Sequence, residues 1–238
     1  TFARLLAQSG SQVLALDSDP MPGMAYSLGL GATDAGLPDE AVEQYDDDGQ
    51  RRFRLSAGLT GPEAVDRYAA HGPDGVRFLQ LGKASGPNWN NTLAHFGFQR
   101  VLDDLPREGW RIVGDLPGGT RQPFLTWGRY AETFVVVVEA TPASLLTGKR
   151  LAALAGMPGS PDVVAVANKV RDPDDVDRIA ERTGLPVVAA VPMDPAFADA
   201  ARAGVPLLDL DPDAPAVAGV RSLVEALTAR SDNGTGSS

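Results

Sequence analysis

The chain has 238 residues, 43% of them apolar, a formal charge of -10 and no cysteine. That size and apolar fraction suit one α/β domain with a buried core, expected over residues 1–230, and the missing thiols exclude disulfides and thiolate metal sites. The acidic balance argues against a general affinity for nucleic acid or anionic membrane, and two distant histidines, His71 and His95, do not make a zinc or nickel centre.

Taken in order, Thr1 to Gly10 places Phe2, Leu5 and Leu6 on one helical face and closes on a glycine suited to a helix end, without a start signal. The stretch reads as a helix entered midway. Val13 to Leu16 then forms an apolar run that stops at Asp17 and Asp19, followed by Pro20. Such a run suits a strand buried on both faces, and strands in parallel sheets carry ligand-binding residues at their carboxyl ends. From Met21 to about Asp74 periodicity is lost. This segment reads as a surface excursion, with a short strand at Arg52 to Leu55, a helix near Pro62 to Ala70, and the acidic run Asp46, Asp47 and Asp48 as a solvated loop.

Alternation then resumes. Val76 to Leu81 reads as a strand, Asn91 to Leu105 as a helix with Leu93, Phe96, Val101, Leu102 and Leu105 inward, and Arg111 to Leu116 as a strand ending in Asp115, Pro117, Gly118 and Gly119. Phe134 to Ala140 is β-branched and apolar enough for a sheet centre, and Ser144 to Ala155 is a helix with Leu145, Leu151 and Leu154 inward. Asp162 to Ala167 is another buried strand, ending in Asn168 and Lys169. Asp172, Pro173 and Asp175 then open a helix with a cap, a proline at its first position and an acidic first turn. Pro186 to Val191 is the last strand, followed by Pro192, Met193 and Asp194. The final helix carries Val217, Val220, Leu223, Val224 and Leu227, and residues 231–238 read as a disordered tail. Strands alternating with helices imply a doubly wound, mostly parallel sheet covered on both faces.

Three strand ends therefore carry polar residues: Asp17 with Asp19, Asp115 with Gly118 and Gly119, and Asn168 with Lys169. A doubly wound sheet brings such ends to one edge. The chemistry that suits them is a magnesium nucleotide. Carboxylates hold Mg²⁺ directly or through its waters, a glycine pair lets backbone N–H groups approach a phosphate, and an Asn amide pairs with a base edge.

The order LDSDP, RIVGDLPGG, VVAVANKV, VVAAVPMDP and AGVPLLDLDPDAPAVAGVRSL resembles the MinD/ParA/CobQ group of deviant P-loop ATPases, of the SIMIBI class, over nearly the whole chain. DSDPMPGMAYSLG, GPDGVRFLQLGK and EATPASLLTGKRLAAL are most similar to the maturation branch typified by the carbon monoxide dehydrogenase accessory protein. The resemblance implies a dimeric switch that binds ATP and Mg²⁺, returns to ADP on hydrolysis, and acts on a client protein. It implies switch I carboxylates at Asp17 and Asp19, which position the attacking water and Mg²⁺, and a Walker B carboxylate at Asp115, with the metal reached by Asp19 and Asp115 largely through water. Gly118 and Gly119 would form switch II. Asn168 would read adenine, helped by Lys169 and the backbone of Pro192, Met193 and Asp194.

Two features depart from that pattern. The glycine-rich loop with its lysines, and the strand before it, precede the first helix in this group and are not in this sequence. The Cys-X-Cys pair that the maturation branch uses to hold nickel between subunits is replaced by GKASGPNWNNTLAHFGF, where His95 sits among apolar residues as a structural side chain, so nickel insertion is not expected. The closing VRSLVEALTARSDNGTGSS lacks the cationic face of membrane-bound members, and the charge disfavours the DNA-binding ones. With no spanning segment or signal pattern, the expected compartment is the cytoplasm. Trp89, Trp110 and Trp127 read as packing residues. The alternative to an ATP switch is a non-hydrolysing relative that serves as an interaction module; a dethiobiotin-synthetase-like ligase would need a substrate carboxylate pocket that the sequence does not show.

Overall fold

The computed structural model describes residues 1–19, 23–33, 35–80, 91–106, 109–116, 128, 130–155 and 161–234, with the backbone alone for 91–95 and 232–234. Gly118, Gly119, Trp89, Trp127 and the end of the third expected strand at Leu81 lie outside the described residues. The chain divides into two units, residues 6–118 and residues 1–5 with 119–238, the division falling inside α1 (Phe2–Gln8).

In the first unit β1 (Gln12–Asp17) runs parallel to β5 (Arg77–Gln80) on one side and β6 (Trp110–Asp115) on the other. The two-residue strand β4 (Ala70–His71) adds an antiparallel edge, giving the order β4-β5-β1-β6. Val13, Leu14, Ala15 and Leu16 are at most 2% exposed. Burial of each large side chain in such a strand contributes roughly 1.5–3 kcal/mol, which is why this apolar run takes an inner position. Helix α4 (Asn91–Asp104) buries Phe98 and Val101, as does Leu105 just after it.

The excursion after β1 is more ordered than its composition suggests. It contains α2 (Met24–Leu28), a hairpin of β2 (Val42–Asp47) and β3 (Gln50–Leu55), and α3 (Gly61–Tyr68). The acidic run is thus a hairpin tip, correcting the loop expected there. Asp48 and Gly49 both have positive φ, 52° and 77°, the requirement of a tight hairpin turn, and the Gly49 N–H donates to Asp46 Oδ1 at 2.8 Å. Arg54 pairs with Glu43 and Arg52 with Asp47 across the strands, while Phe53 stacks on Phe96 of α4 with ring centroids 4.3 Å apart. Thr60 and Glu63 cap α3 reciprocally.

In the second unit β7 (Thr133–Val138), β8 (Asp162–Val170) and β9 (Val187–Pro192) form a parallel sheet in that order. The apolar strand expected at the sheet centre, β7, stands at the end of this order, with Val137 60% exposed. The centre belongs to β8, buried from Val163 through Ala167. Helices α5 (Pro142–Ala155), α6 (Asp174–Thr183), α7 (Ala196–Ala203), α8 (Leu207–Leu210) and α9 (Pro215–Gly234) complete the unit. Asp172 Oδ1 accepts the Asp174 N–H and Asp175 Oδ2 accepts those of Arg171 and Asp172, so the acidic opening of α6 is a cap in fact. Helix α9 includes Ser231 to Gly234, the first half of the stretch expected to be a disordered tail; the Ser231 hydroxyl donates to the Leu227 carbonyl and continues the turn. At Gly219 the helix lies so close to β9 that an added Cβ would meet the Ala190 carbonyl oxygen at 2.6 Å.

Arg4 and Asp209 lock this unit by a bidentate pair, both contacts at 2.7 Å, with the arginine 5% exposed. The Arg4 hydrogen bond holds the Asp209 carboxyl below the usual carboxylate range. Among the described residues no helix is long and apolar enough to cross a membrane.

Candidate functional site

The carboxyl ends of β5, β1 and β6 place Gln80, Asp17 and Asp115 side by side in register. Asp17 is fully buried. A carboxylate with no access to water requires strong partners, and its two oxygens accept three backbone N–H bonds: Oδ1 from Asp19 at 3.1 Å, and Oδ2 from Gly23 and Met24 at 2.9 Å each. It therefore closes the turn after β1 and caps α2 from across the loop. Ser18, 8% exposed, donates twice to the Asp115 carbonyl, from its N–H at 3.0 Å and from its hydroxyl at 2.6 Å. Asp19 is the half-buried residue between these two anchors.

Asp115 is exposed at the tip of β6, yet the covering of the strand end, followed by the charges of Asp17 and then Asp19, pushes its carboxyl above the usual carboxylate range. Three carboxylates crowd one edge. Among the described residues no group of three or more His, Cys, Asp and Glu is spaced to hold a metal ion directly.

The second unit brings together the other expected residues. Asn168 and Lys169 lie within β8 rather than beyond it, at a bulge: Asn168 is opposite Val191, Val170 is opposite Pro192, and Lys169 between them has φ 53°. The irregularity lets polar residues continue the strand, because one extra residue turns the chain without breaking the ladder. The Met193 N–H donates to the Val170 carbonyl at 2.8 Å, so the backbone after β9 is held against the bulge. Asp194 is buried and accepts from Ala196 at 2.9 Å and from Ala216 at 3.1 Å, fixing the starts of α7 and α9. The Lys169 ammonium pairs with Glu139 at 2.7 Å. Asn168 is half-buried beside this pair in sequence, and Met193 is 47% exposed.

Three residues join the picture that the sequence reading passed over. Ser18 was framed by the two aspartates it separates, and a hydroxyl at that position is the one signal that was open to view. Gln80 is 5% exposed; its amide donates to the Thr33 carbonyl at 2.6 Å and its N–H donates to Ala35 at 2.8 Å, tying the excursion to the strand end. Glu139, which ends an apolar strand, has the same kind of signature as Asp17 and Asp115.

These sheets and helices define the fold of a MinD/ParA-type P-loop nucleotide triphosphatase. MinD of Pyrococcus horikoshii, solved with Mg-ADP, superposes with a TM-score of 0.70 at 16% identity over 95% of this chain and 87% of its own. A ParA family ATPase of Chlorobium tepidum gives 0.70 at 15% identity over 94% and 88%. In sequence, the carbon monoxide dehydrogenase accessory protein CooC of Rhodospirillum rubrum is 25% identical over 225 residues, 89% of this chain and 84% of that protein. No family model matches. The resemblance to the MinD/ParA/CobQ group, on its CooC-like side, is thereby borne out.

Proposed function

We propose that the protein is an ATP-dependent molecular switch: it binds and hydrolyses ATP with Mg²⁺, pairs with a second copy in the ATP state, and passes the change to a client protein. The observation that carries this reading is the acidic edge of the first unit, where Asp115 is pushed up beside Asp17 and Asp19. Asp17 is accounted for by the three N–H groups it holds, whereas Asp19 and Asp115 beside it add charge that a cation bound with phosphate would offset. Bound Mg²⁺ supplies neutralisation of phosphate charge. Asp19, held between the Ser18 and Asp17 anchors, orients the attacking water. Asp115 accepts from the hydrated cation, while Asp17 keeps the loop closed. Gly118 and Gly119, which follow Asp115 in sequence, would serve as the switch II glycines of the family. Asn168 contacts the adenine edge, with Lys169 and the Pro192, Met193 and Asp194 backbone bounding it.

The test uses the protein as its gene encodes it, with whatever precedes Thr1. Calorimetry with Mg-ATP, phosphate release and light scattering with and without nucleotide measure binding, turnover and pairing. Binding with turnover and ATP-dependent dimerisation is the expected result. Binding without turnover returns the interaction-module alternative, and absence of binding ends the nucleotide reading.

A further inference from the structure

The parallel ladder between β1 and β6 supplies one bond that any residue at position 18 would make, from its N–H to the Asp115 carbonyl at 3.0 Å. The second bond, from the Ser18 hydroxyl at 2.6 Å, depends on the side chain. A carbonyl oxygen has two lone pairs, and here both donors come from one residue that is 8% exposed. That carbonyl belongs to the peptide unit between Asp115 and Leu116, which leads in sequence to Pro117, Gly118 and Gly119. Rotation of the unit breaks both bonds at once. On the other side of Ser18, Asp17 holds the N–H groups of Asp19, Gly23 and Met24. Asp19 thus lies directly after the residue that grips the peptide unit opening the glycine segment, with its own N–H held by Asp17.

We propose that Ser18 is a positioning residue, whose hydroxyl couples the placement of Asp19 to the peptide unit following Asp115. The coupling rests on the ATP-switch reading for its catalytic consequence and on geometry alone for its mechanical one. If the Asp115–Leu116 peptide turns when the phosphate leaves, both Ser18 bonds break and Asp19, the water-orienting group, is released from its placement. The device needs a hydroxyl at this position; threonine satisfies it, and alanine keeps only the backbone bond.

The experiment compares wild type, Ser18→Ala and Ser18→Thr in ATP turnover and in hydrogen exchange of the segment from Asp19 to Met24. Loss of one such hydrogen bond is expected to lower kcat about 3- to 10-fold with KM within about twofold, and to speed exchange about fivefold, with Ser18→Thr close to wild type in both. Turnover by wild type that Ser18→Ala leaves unchanged overturns the proposal while the ATP reading stands. If wild type neither binds nor turns over ATP, that reading falls, and exchange decides the coupling: faster only in Ser18→Ala upholds it, equal rates in all three overturn it. Should Ser18→Ala lose cooperative unfolding, Ser18→Cys, similar in volume but a weak donor, takes its place and faces the same criteria.

Discussion

The two parallel sheets end in opposite kinds of chemistry. At the carboxyl edge of the first unit, Asp17, Asp19 and Asp115 accumulate negative charge, and the bonds there go from backbone N–H groups and the Ser18 hydroxyl to acidic residues. At the corresponding edge of the second unit the charge is paired, Lys169 with Glu139, and an amide, Asn168, stands in a strand bulge. One edge gathers carboxylates and the other an ion pair and an amide.

The sharpest way to break this comparison is Asp19→Ala. It should lower turnover about 100-fold or more, as loss of a water-orienting carboxylate does, with the unfolding transition preserved; residual turnover near wild type would remove Asp19 from the chemistry. Next in size, Asp17→Ala should destabilise the fold by about 2–4 kcal/mol in urea denaturation, because three N–H groups lose their acceptor in a site without water. If Asp17→Ala instead matched Asp19→Ala, with full stability and lost turnover, the buried carboxylate would be chemical rather than structural. On the neutral edge, Asn168→Ala should weaken ATP binding about tenfold and narrow the preference for ATP over GTP, read by competition calorimetry. Equal effects on the two nucleotides would detach Asn168 from the base.

The smallest effect compares pH responses. Asp115 is raised in the folded state, so its contribution to stability is present below the ordinary carboxylate value, near pH 4, and lost as pH rises through the raised folded value. Asp115→Asn should therefore raise the thermal midpoint at neutral pH, on the order of 1–2 °C, and lose that advantage towards pH 4. Asp209 is lowered by Arg4, so its contribution is present above the ordinary value and lost as pH falls through the lowered one. Asp209→Asn should show the reverse pattern, a deficit at neutral pH that shrinks in acid. Differential scanning at several pH values separates the two.

Much of this contrast was legible in the sequence because apolar runs that end abruptly in charge are hard to read otherwise. Val13 to Leu16 stopping at Asp17 coincides with β1, and the strand expected at Arg111 to Leu116 coincides with β6 to within a residue at each end. The failures have local causes. The Asp46 to Asp48 run looked like a solvated loop because three like charges outweighed the Asp48-Gly49 turn, whose positive φ at both residues is the stronger physical signal. Asn168 and Lys169 read as the polar end of a strand because polarity usually stops one, whereas a bulge carries the ladder past them. Gln80 is not legible, since an amide gains its role from a partner segment that the local sequence does not name, and Ser18 shows only a hydroxyl framed by two aspartates. The roles of Asp17 and Asp19 also diverge only in three dimensions, where one is fully buried and the other is held between anchors.

The bidentate pair between Arg4 and Asp209 joins residues 205 positions apart. On a ribosome adding roughly 5–20 residues each second, Arg4 is made about 10–40 s before its carboxylate exists. The unit of residues 6–118 is continuous and complete long before then, whereas the unit that owns the first five residues is completed from the other end of the chain. Residues 1–5 are thus made early and settle late, and a nascent chain halted before Asp209 should present Arg4 without the Asp209 carboxylate to any chaperone that meets it.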